Sequence, residues 1–179
     1  MSTTPGKGKT QVRQQKEARL ANLYEEYYDR IARYARVHIG DPAEAQDLAG
    51  EVFLKALDSL DSYQERGVPM QAWLFRIAHN LVVDHLRRKA KLKTVPIETI
   101  PLESNGDPMK LAERNMEMER VNRAMTQLTR EQREVLGLRF LGGLTSREVG
   151  HILRKNDSAV REMQRAAIEK LRKLLTTEG

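Results

Sequence analysis

The seven residues from Arg87 to Lys93 carry five cations, Arg87, Arg88, Lys89, Lys91 and Lys93, and no acid. Positive charge at that density is suited to a polyanion, because each cation that meets a phosphate releases a condensed counterion. A second group, Ser158, Arg161, Glu162 and Arg165, recurs at steps that share one helix face. In such a set arginine can pair with a guanine edge, glutamate can accept from cytosine, and serine is permissive. Between helical segments, Tyr63 and the polar loop residues beside it could receive an unstacked base. In the helix after that loop, Trp73 and Phe75 sit at core spacing with Ile77, which leaves Arg76 and Asn80 as the exposed contacts. A fourth group is acidic: Glu44, Asp47, Glu51 and Asp58, interrupted by Lys55. Such a stripe is ordinarily a solvated face. In a basic chain it would repel a duplex, so a protein partner is the more informative reading.

Catalytic chemistry finds no support. His38, His79, His85 and His151 lack the i,i+4 pairing of a helical zinc site, and there is no cysteine. No phosphate-cradling glycine loop or nucleophile elbow is present. The expectation is a protein that is not an enzyme and holds no metal or cofactor. Lys and Arg total 31 against 25 Asp and Glu, a net charge of +6, with a pI near 9.6. Absence of cysteine fits a reducing compartment. The first ten residues lack the apolar core of a secretion signal and no run approaches bilayer length, so the expected location is cytoplasmic, with no membrane contact.

Aromatics make up only 5% of the chain, and the apolar residues follow helical steps with no strand-like alternation. Residues 1–17, polar and containing glycine and proline, are expected to be disordered. A first domain over residues 18–93 opens with Leu20, Leu23, Tyr27, Ile31 and Tyr34, and Gly40 stops that helix. Asp41 and Glu44 form a capping box around Pro42, starting a helix that buries Leu48, Val52, Phe53, Ala56, Leu57 and Leu60. A loop from Ser62 to Gln71 precedes a third helix burying Trp73, Ile77 and Leu81. Residues 94–110, broken by Pro96, Pro101, Gly106 and Pro108, read as an extended linker. The second domain, residues 111–179, has capping boxes at Thr129/Gln132 and Thr145/Glu148 and a helix stop at Gly142 and Gly143. A turn over Arg154 to Asp157 then leads to a last helix with Val160, Ala167, Leu171 and Leu174 inside. A short helix, tight turn and longer cationic helix make a helix-turn-helix pattern, although an ordinary helical hairpin satisfies the same spacing. The class is all-α, two small helical domains joined by an extended linker. These residues alone are compatible with a stand-alone helix-turn-helix regulator, or with an RNA-binding or adaptor protein.

Three segments resemble a known family: Leu23 to Ile31, Ala45 to Ala56, and Trp73 to Arg88 resemble the first conserved domain of bacterial sigma factors. The stretch Leu128 to Phe140 and the helix-turn-helix resemble their C-terminal domain, and the likeness is greatest to the extracytoplasmic-function (ECF) group. The resemblance implies a protein that binds core RNA polymerase and directs promoter recognition, melting and transcription initiation. It implies that Asp47, Leu48, Glu51, Val52 and Phe53 dock on the β′ clamp coiled coil, with the β flap as a further contact. It implies that Tyr63, Gln64, Arg66, Arg76, Asn80, Asp84, Arg87 and Arg88 read and melt the −10 element, and that Ser158, Arg161, Glu162 and Arg165 read the −35 element. Promoter DNA and, in many members, an anti-sigma factor complete the partners. Arg154 stands where the family's turn usually has glycine, which predicts a strained left-handed residue.

Overall fold

Regular apolar spacing becomes seven helices in the computed structural model, which describes residues 6–92 and 108–177. They are α1 (Gly6–Ile39), α2 (Pro42–Asp58), α3 (Met70–Leu92), α4 (Pro108–Thr126), α5 (Arg130–Leu136), α6 (Ser146–Leu153) and α7 (Asp157–Thr177). A 3-10 turn, Leu60–Ser62, follows α2, and a π-helical turn, Gly137–Leu141, prolongs α5. Among the described residues no helix is long and apolar enough to cross a membrane. The expected linker up to residue 107 lies outside the described residues. Helix α4 opens at Pro108, inside that linker, because proline fits the first helical position, where no N–H is needed.

In α1 the buried residues Leu20, Tyr27, Ile31 and Tyr34 keep the steps of three, four and seven that bring them to one face. Gly40 then takes a φ of +86°, a conformation glycine adopts without steric cost, and its N–H returns to the carbonyl of Arg36. Asp41 caps α2, accepting from the N–H groups of Ala43 and Glu44 at 2.8 and 3.2 Å. The expected capping box is only half formed. The Glu44 carboxylate instead lies 3.2 Å from both His85 Nε2 and Lys89 Nζ, tying α2 to α3. Leu57, expected inside, faces solvent.

For residues 6–17 the structure has helix where disorder was expected, since α1 runs from Gly6, and residues 1–5 lie outside the described residues. From Gln11 onward the segment is rich in good helix formers, and Arg13 pairs with Glu17 at 2.9 Å across one turn. Arg13, Lys16 and Arg19 also reach the segment between α2 and α3, which ties the helix down.

In the second half both capping boxes form as expected, at Thr129/Gln132 and Thr145/Glu148. Arg154 adopts φ 55° and ψ 47°, the left-handed conformation predicted for it, which costs a non-glycine residue about 1–2 kcal/mol. Gly150 permits the turn, since a β-carbon there would lie 2.4 Å from the carbonyl oxygen of Lys155. Asn156 caps α7, accepting from the N–H of Ala159 at 2.7 Å.

The two helical units are not separate bodies in this structure. One apolar core runs from Ile31, Val52, Leu74 and Phe75 in the first half to Val135, Leu138, Leu144, Val149 and Val160 in the second. Gly137 packs so closely on the ring of Tyr34 that a β-carbon would approach Cδ2 to 2.8 Å. Contact between the halves depends on that missing side chain.

Candidate nucleic-acid and partner interfaces

Helix α3 presents Arg76, Asn80, Asp84, Arg87 and Arg88 on its exposed side. At about 1.5 Å rise per residue they span about 18 Å of helix. Asp84 anchors the cationic end: its carboxylate is 3.8 Å from Arg87, and its carbonyl accepts from Arg88 Nε at 3.4 Å. The next cation, Lys89, is drawn to Glu44, so Arg87 and Arg88 provide the better exposed charge. The neighbouring loop exposes Gln64 and Arg66.

Tyr63 does not belong to that exposed set. It is only 4% exposed, its ring lies 5.0 Å from that of Trp73, and its hydroxyl donates to the carbonyl of Val68 at 2.9 Å. In this arrangement Tyr63 closes the loop from beneath, with its ring against Trp73. Its apolar ring gained more from Trp73 than from solvent.

Ser158, Arg161, Glu162 and Arg165 all lie on the exposed face of α7, behind which Val160 and Ala167 are buried. Each arginine is engaged by an acid of its own helix: Arg161 with Asp157 at 3.1 Å, Arg165 with Glu162 at 2.7 Å. Their hydrogen bond holds the Glu162 carboxyl below its usual range and raises the Arg165 guanidinium. Such exposed pairs are weak, so a phosphate or base edge can replace either acid. Around the turn the structure adds Arg147, His151 and Arg154, all exposed, which the sequence reading passed over. Their signal was the same periodic basic spacing, on the shorter helix.

On α2 the expected docking residues divide. Asp47 and Glu51 are exposed, whereas Leu48, Val52 and Phe53 are buried, Val52 completely. These three form the apolar face of an amphipathic helix, and Phe53 packs edge-on to Tyr24 at 5.0 Å. The solvent face instead offers Leu54, 65% exposed, between Asp47, Glu51 and Asp58. An exposed leucine ringed by carboxylates has the apolar centre and charged rim of a protein-binding patch.

A polar cluster that the sequence reading missed lies where the halves meet. His79 Nδ1 of α3 is 3.5 Å from both Tyr34 Oη of α1 and Glu134 Oε1 of α5. Arg130 Nε stands 3.7 Å from the same carboxylate oxygen. Burial raises the Glu134 carboxyl, with Arg130 opposing, and burial and then Arg130 lower His79. His38, buried against the ring of Tyr34, is lowered to about 3 by burial and then by Arg133, His79 and Arg130. Separately coded halves give no sequence signal for this cluster, because its members are remote in the chain.

The pH dependence of the closed arrangement follows. A lowered histidine binds its proton less well in the folded state. His38 therefore contributes fully above its unfolded value near 6.5 and loses stability as pH falls toward 3, by about 1.4 kcal/mol per pH unit. His79 acts in the same direction. Glu134, raised, opposes them as it takes up its proton, in a lower window near the carboxylate range. Urea midpoints should therefore fall between pH 7.5 and pH 5.5, and His38→Phe should flatten that slope. An unchanged midpoint in the wild-type protein would contradict the assignment.

Comparison with known proteins agrees with this geometry. Residues 23–92 match the model of sigma-70 region 2, and residues 124–173 match that of sigma-70, region 4. The chain is 32% identical over 162 residues to the ECF RNA polymerase sigma factor BldN of Streptomyces coelicolor, covering 89% of this chain and 61% of that protein's length. It is 31% identical over 155 residues to the ECF RNA polymerase sigma factor SigD of Mycobacterium tuberculosis, covering 83% and 73% respectively. Among solved structures, CnrH in complex with the cytosolic domain of CnrY aligns with a TM-score of 0.70 at 24% identity, covering 96% of each chain. The sigma factor RpoE in complex with the anti-sigma factor NepR from Bartonella quintana aligns at 0.71 and 19% identity, covering 89% of this chain and 98% of that one. These two likenesses establish the shared fold. With both sigma-70 regions present in order, this chain belongs to the ECF RNA polymerase sigma factors of the sigma-70 family.

Proposed function

We propose that the chain binds core RNA polymerase and directs it to promoters, reading duplex with α7 and opening DNA with α3 and the loop before it. The observation that carries this reading is the pairing of two exposed DNA-suited faces on two helical units, with an acidic, leucine-centred face on α2. Arg161, Glu162, Arg165 and Ser158 read the −35 duplex from α7. Gln64, Arg66, Arg76, Asn80, Arg87 and Arg88 hold the −10 strand, and Asp84 sets the direction of the two arginines. Asp47 and Glu51, with Leu54, dock on the β′ clamp coiled coil, and the C-terminal half meets the β flap. The protein supplies specificity and strand capture while the polymerase performs the chemistry. A stand-alone regulator would leave the α2 face without a use.

Size imposes a condition on this reading. Elements named −10 and −35 lie roughly 25 base pairs apart, about 85 Å of duplex at about 3.4 Å per pair. Helix α1 alone, with 34 residues, is about 51 Å long, and the closed chain, whose halves share one core, falls short of the promoter span. The closed arrangement therefore cannot grip both elements of a straight duplex at once, and the halves part on the promoter.

Purified protein mixed with core polymerase should start transcripts at a discrete set of promoters. Tight binding to duplex sites with no affinity for core enzyme would overturn the proposal in favour of the stand-alone regulator. Arg165→Ala should weaken protection of the −35 region by about tenfold, the loss expected for one good base or phosphate contact. An unaltered footprint would remove Arg165 from the reading face.

A further inference from the structure

Three cations of α1 point at one short segment. Arg13, Lys16 and Arg19 recur every three residues and all contact the stretch from Leu57 to Glu65. Arg13 Nη1 donates to Asp61 at 2.6 Å, and Nη2 reaches the carbonyl of Leu57 at 3.4 Å. Lys16 Nζ donates to the carbonyls of Leu60 and Tyr63 at 3.3 and 2.7 Å. Those carbonyls bracket the 3-10 turn, and that of Leu60 also accepts from the N–H of Tyr63 at 3.2 Å. Arg19 holds Glu65 with two parallel hydrogen bonds of 3.0 Å each, the bidentate geometry that fixes direction as well as charge. All three cations precede residue 23, where the match to sigma-70 region 2 begins.

The segment they hold opens the loop between α2 and α3. Tyr63 is its pivot: Lys16 fixes its carbonyl, Trp73 supports its ring, and its hydroxyl closes the loop onto Val68. Gly67, at a φ of +74°, makes the return. The backbone from Tyr63 to Val68 is thus pinned at both ends, while Gln64 and Arg66 stand exposed on its rim. The cations have an electrostatic effect as well. Asp61 and Glu65 are carboxylates on a surface that would face phosphates, and Arg13 and Arg19 neutralise them.

We propose that Arg13, Lys16 and Arg19 are positioning residues that hold this loop in the shape able to capture an unstacked base. This rests on the promoter-opening role of the loop proposed above. The brace adds little to stability, because the Arg13 and Arg19 pairs are largely exposed and screened by solvent. Its effect is instead on the geometry of the open complex.

The test uses holoenzyme reconstituted from full-length protein and core polymerase. Three variants are compared: Lys16→Met, Arg19→Glu, and the charge swap Arg19→Glu with Glu65→Arg. Open complexes are followed by permanganate reactivity, and base preference by single-base changes across the −10 element. Lys16→Met and Arg19→Glu should lower open-complex formation by about tenfold and flatten the base preference, with core binding unchanged. The swap should restore opening to within about threefold of wild type, since it rebuilds the pair with reversed charges. Opening and preference unchanged in both single variants, or no restoration by the swap with each protein folded by circular dichroism, would overturn the inference. Failure of the wild-type holoenzyme to open any promoter would instead remove the underlying function.

Discussion

Gly137→Leu should open the molecule without unfolding either half. Gly137 adopts helical angles, φ −60° and ψ −49°, so a larger residue suits its own backbone and even favours the helix by about 0.5–1 kcal/mol. Across the contact, a β-carbon would stand 2.8 Å from Tyr34 Cδ2, and the rest of a leucine would have no room. Tyr34 cannot yield easily: it is fully buried, with its ring 4.9 Å from that of His38 and 5.8 Å from that of Phe75. Overpacking at such a position costs about 1–3 kcal/mol, enough to shift an interface of marginal stability by one or two orders of magnitude. Small-angle scattering should show the radius of gyration rising from about 16 Å to well above 20 Å, with helical content preserved. On the function proposed here the halves part at the promoter, so the open variant should also bind core polymerase more tightly than wild type, having less to undo. An unchanged radius would show that the shared core tolerates the wedge, and the closed state would then need another cause.

Replacing Arg87 and Arg88 together by alanine should abolish promoter opening while sparing attachment to core polymerase. The two guanidiniums are the exposed terminus of the α3 stripe. Arg87 is held only loosely by Asp84, at 3.8 Å, so its charge is available to a phosphate. A charged hydrogen bond is worth about 1.5–3 kcal/mol, so loss of two should reduce open complexes by at least 10²-fold. Affinity for single-stranded −10 DNA should also become less salt-sensitive, its log–log slope falling by roughly 1.4 for two phosphate contacts. Permanganate reactivity at wild-type level would refute the assignment. Core binding should be unaffected because the exposed acids of α2, Asp47 and Glu51, lie on a different helix.

How much of this could be read from the chain depended on whether a feature is periodic. Helices α2, α3, α6 and α7 follow from apolar residues at steps of three and four, and both C-terminal capping boxes follow from residue type alone. The left-handed Arg154 was legible only through the family resemblance, whose turn usually has glycine at that position. The exposed faces of α3 and α7 followed from the same periodicity. What was not legible was direction and distance. Leu54 shares α2 with Asp47 and Glu51, and its exposure between them was not singled out, although Leu48, Val52 and Phe53 were placed on the buried side. Tyr63 looked like a ring in an open loop, and only its neighbour Trp73 and the carbonyl of Val68 show why it is buried. Residues 6–17 looked like a tail by composition, whereas their helix is secured by partners some 44 to 48 residues away. The contact between Gly137 and Tyr34 is the same kind of fact, since one missing side chain matters only against a particular ring.

The arginines of α7 carry their own tethered counterions in Asp157 and Glu162. When a phosphate displaces such a carboxylate, the counterion condensed on the DNA is still released, but the displaced acid stays on the same helix face and repels the backbone, so the net gain per arginine is smaller. Random genomic duplex, which has only phosphates to offer, becomes a poor sink for this helix. A site whose base edges also engage Glu162 and Ser158 recovers what the exchange withholds, which favours a specific duplex over a random one.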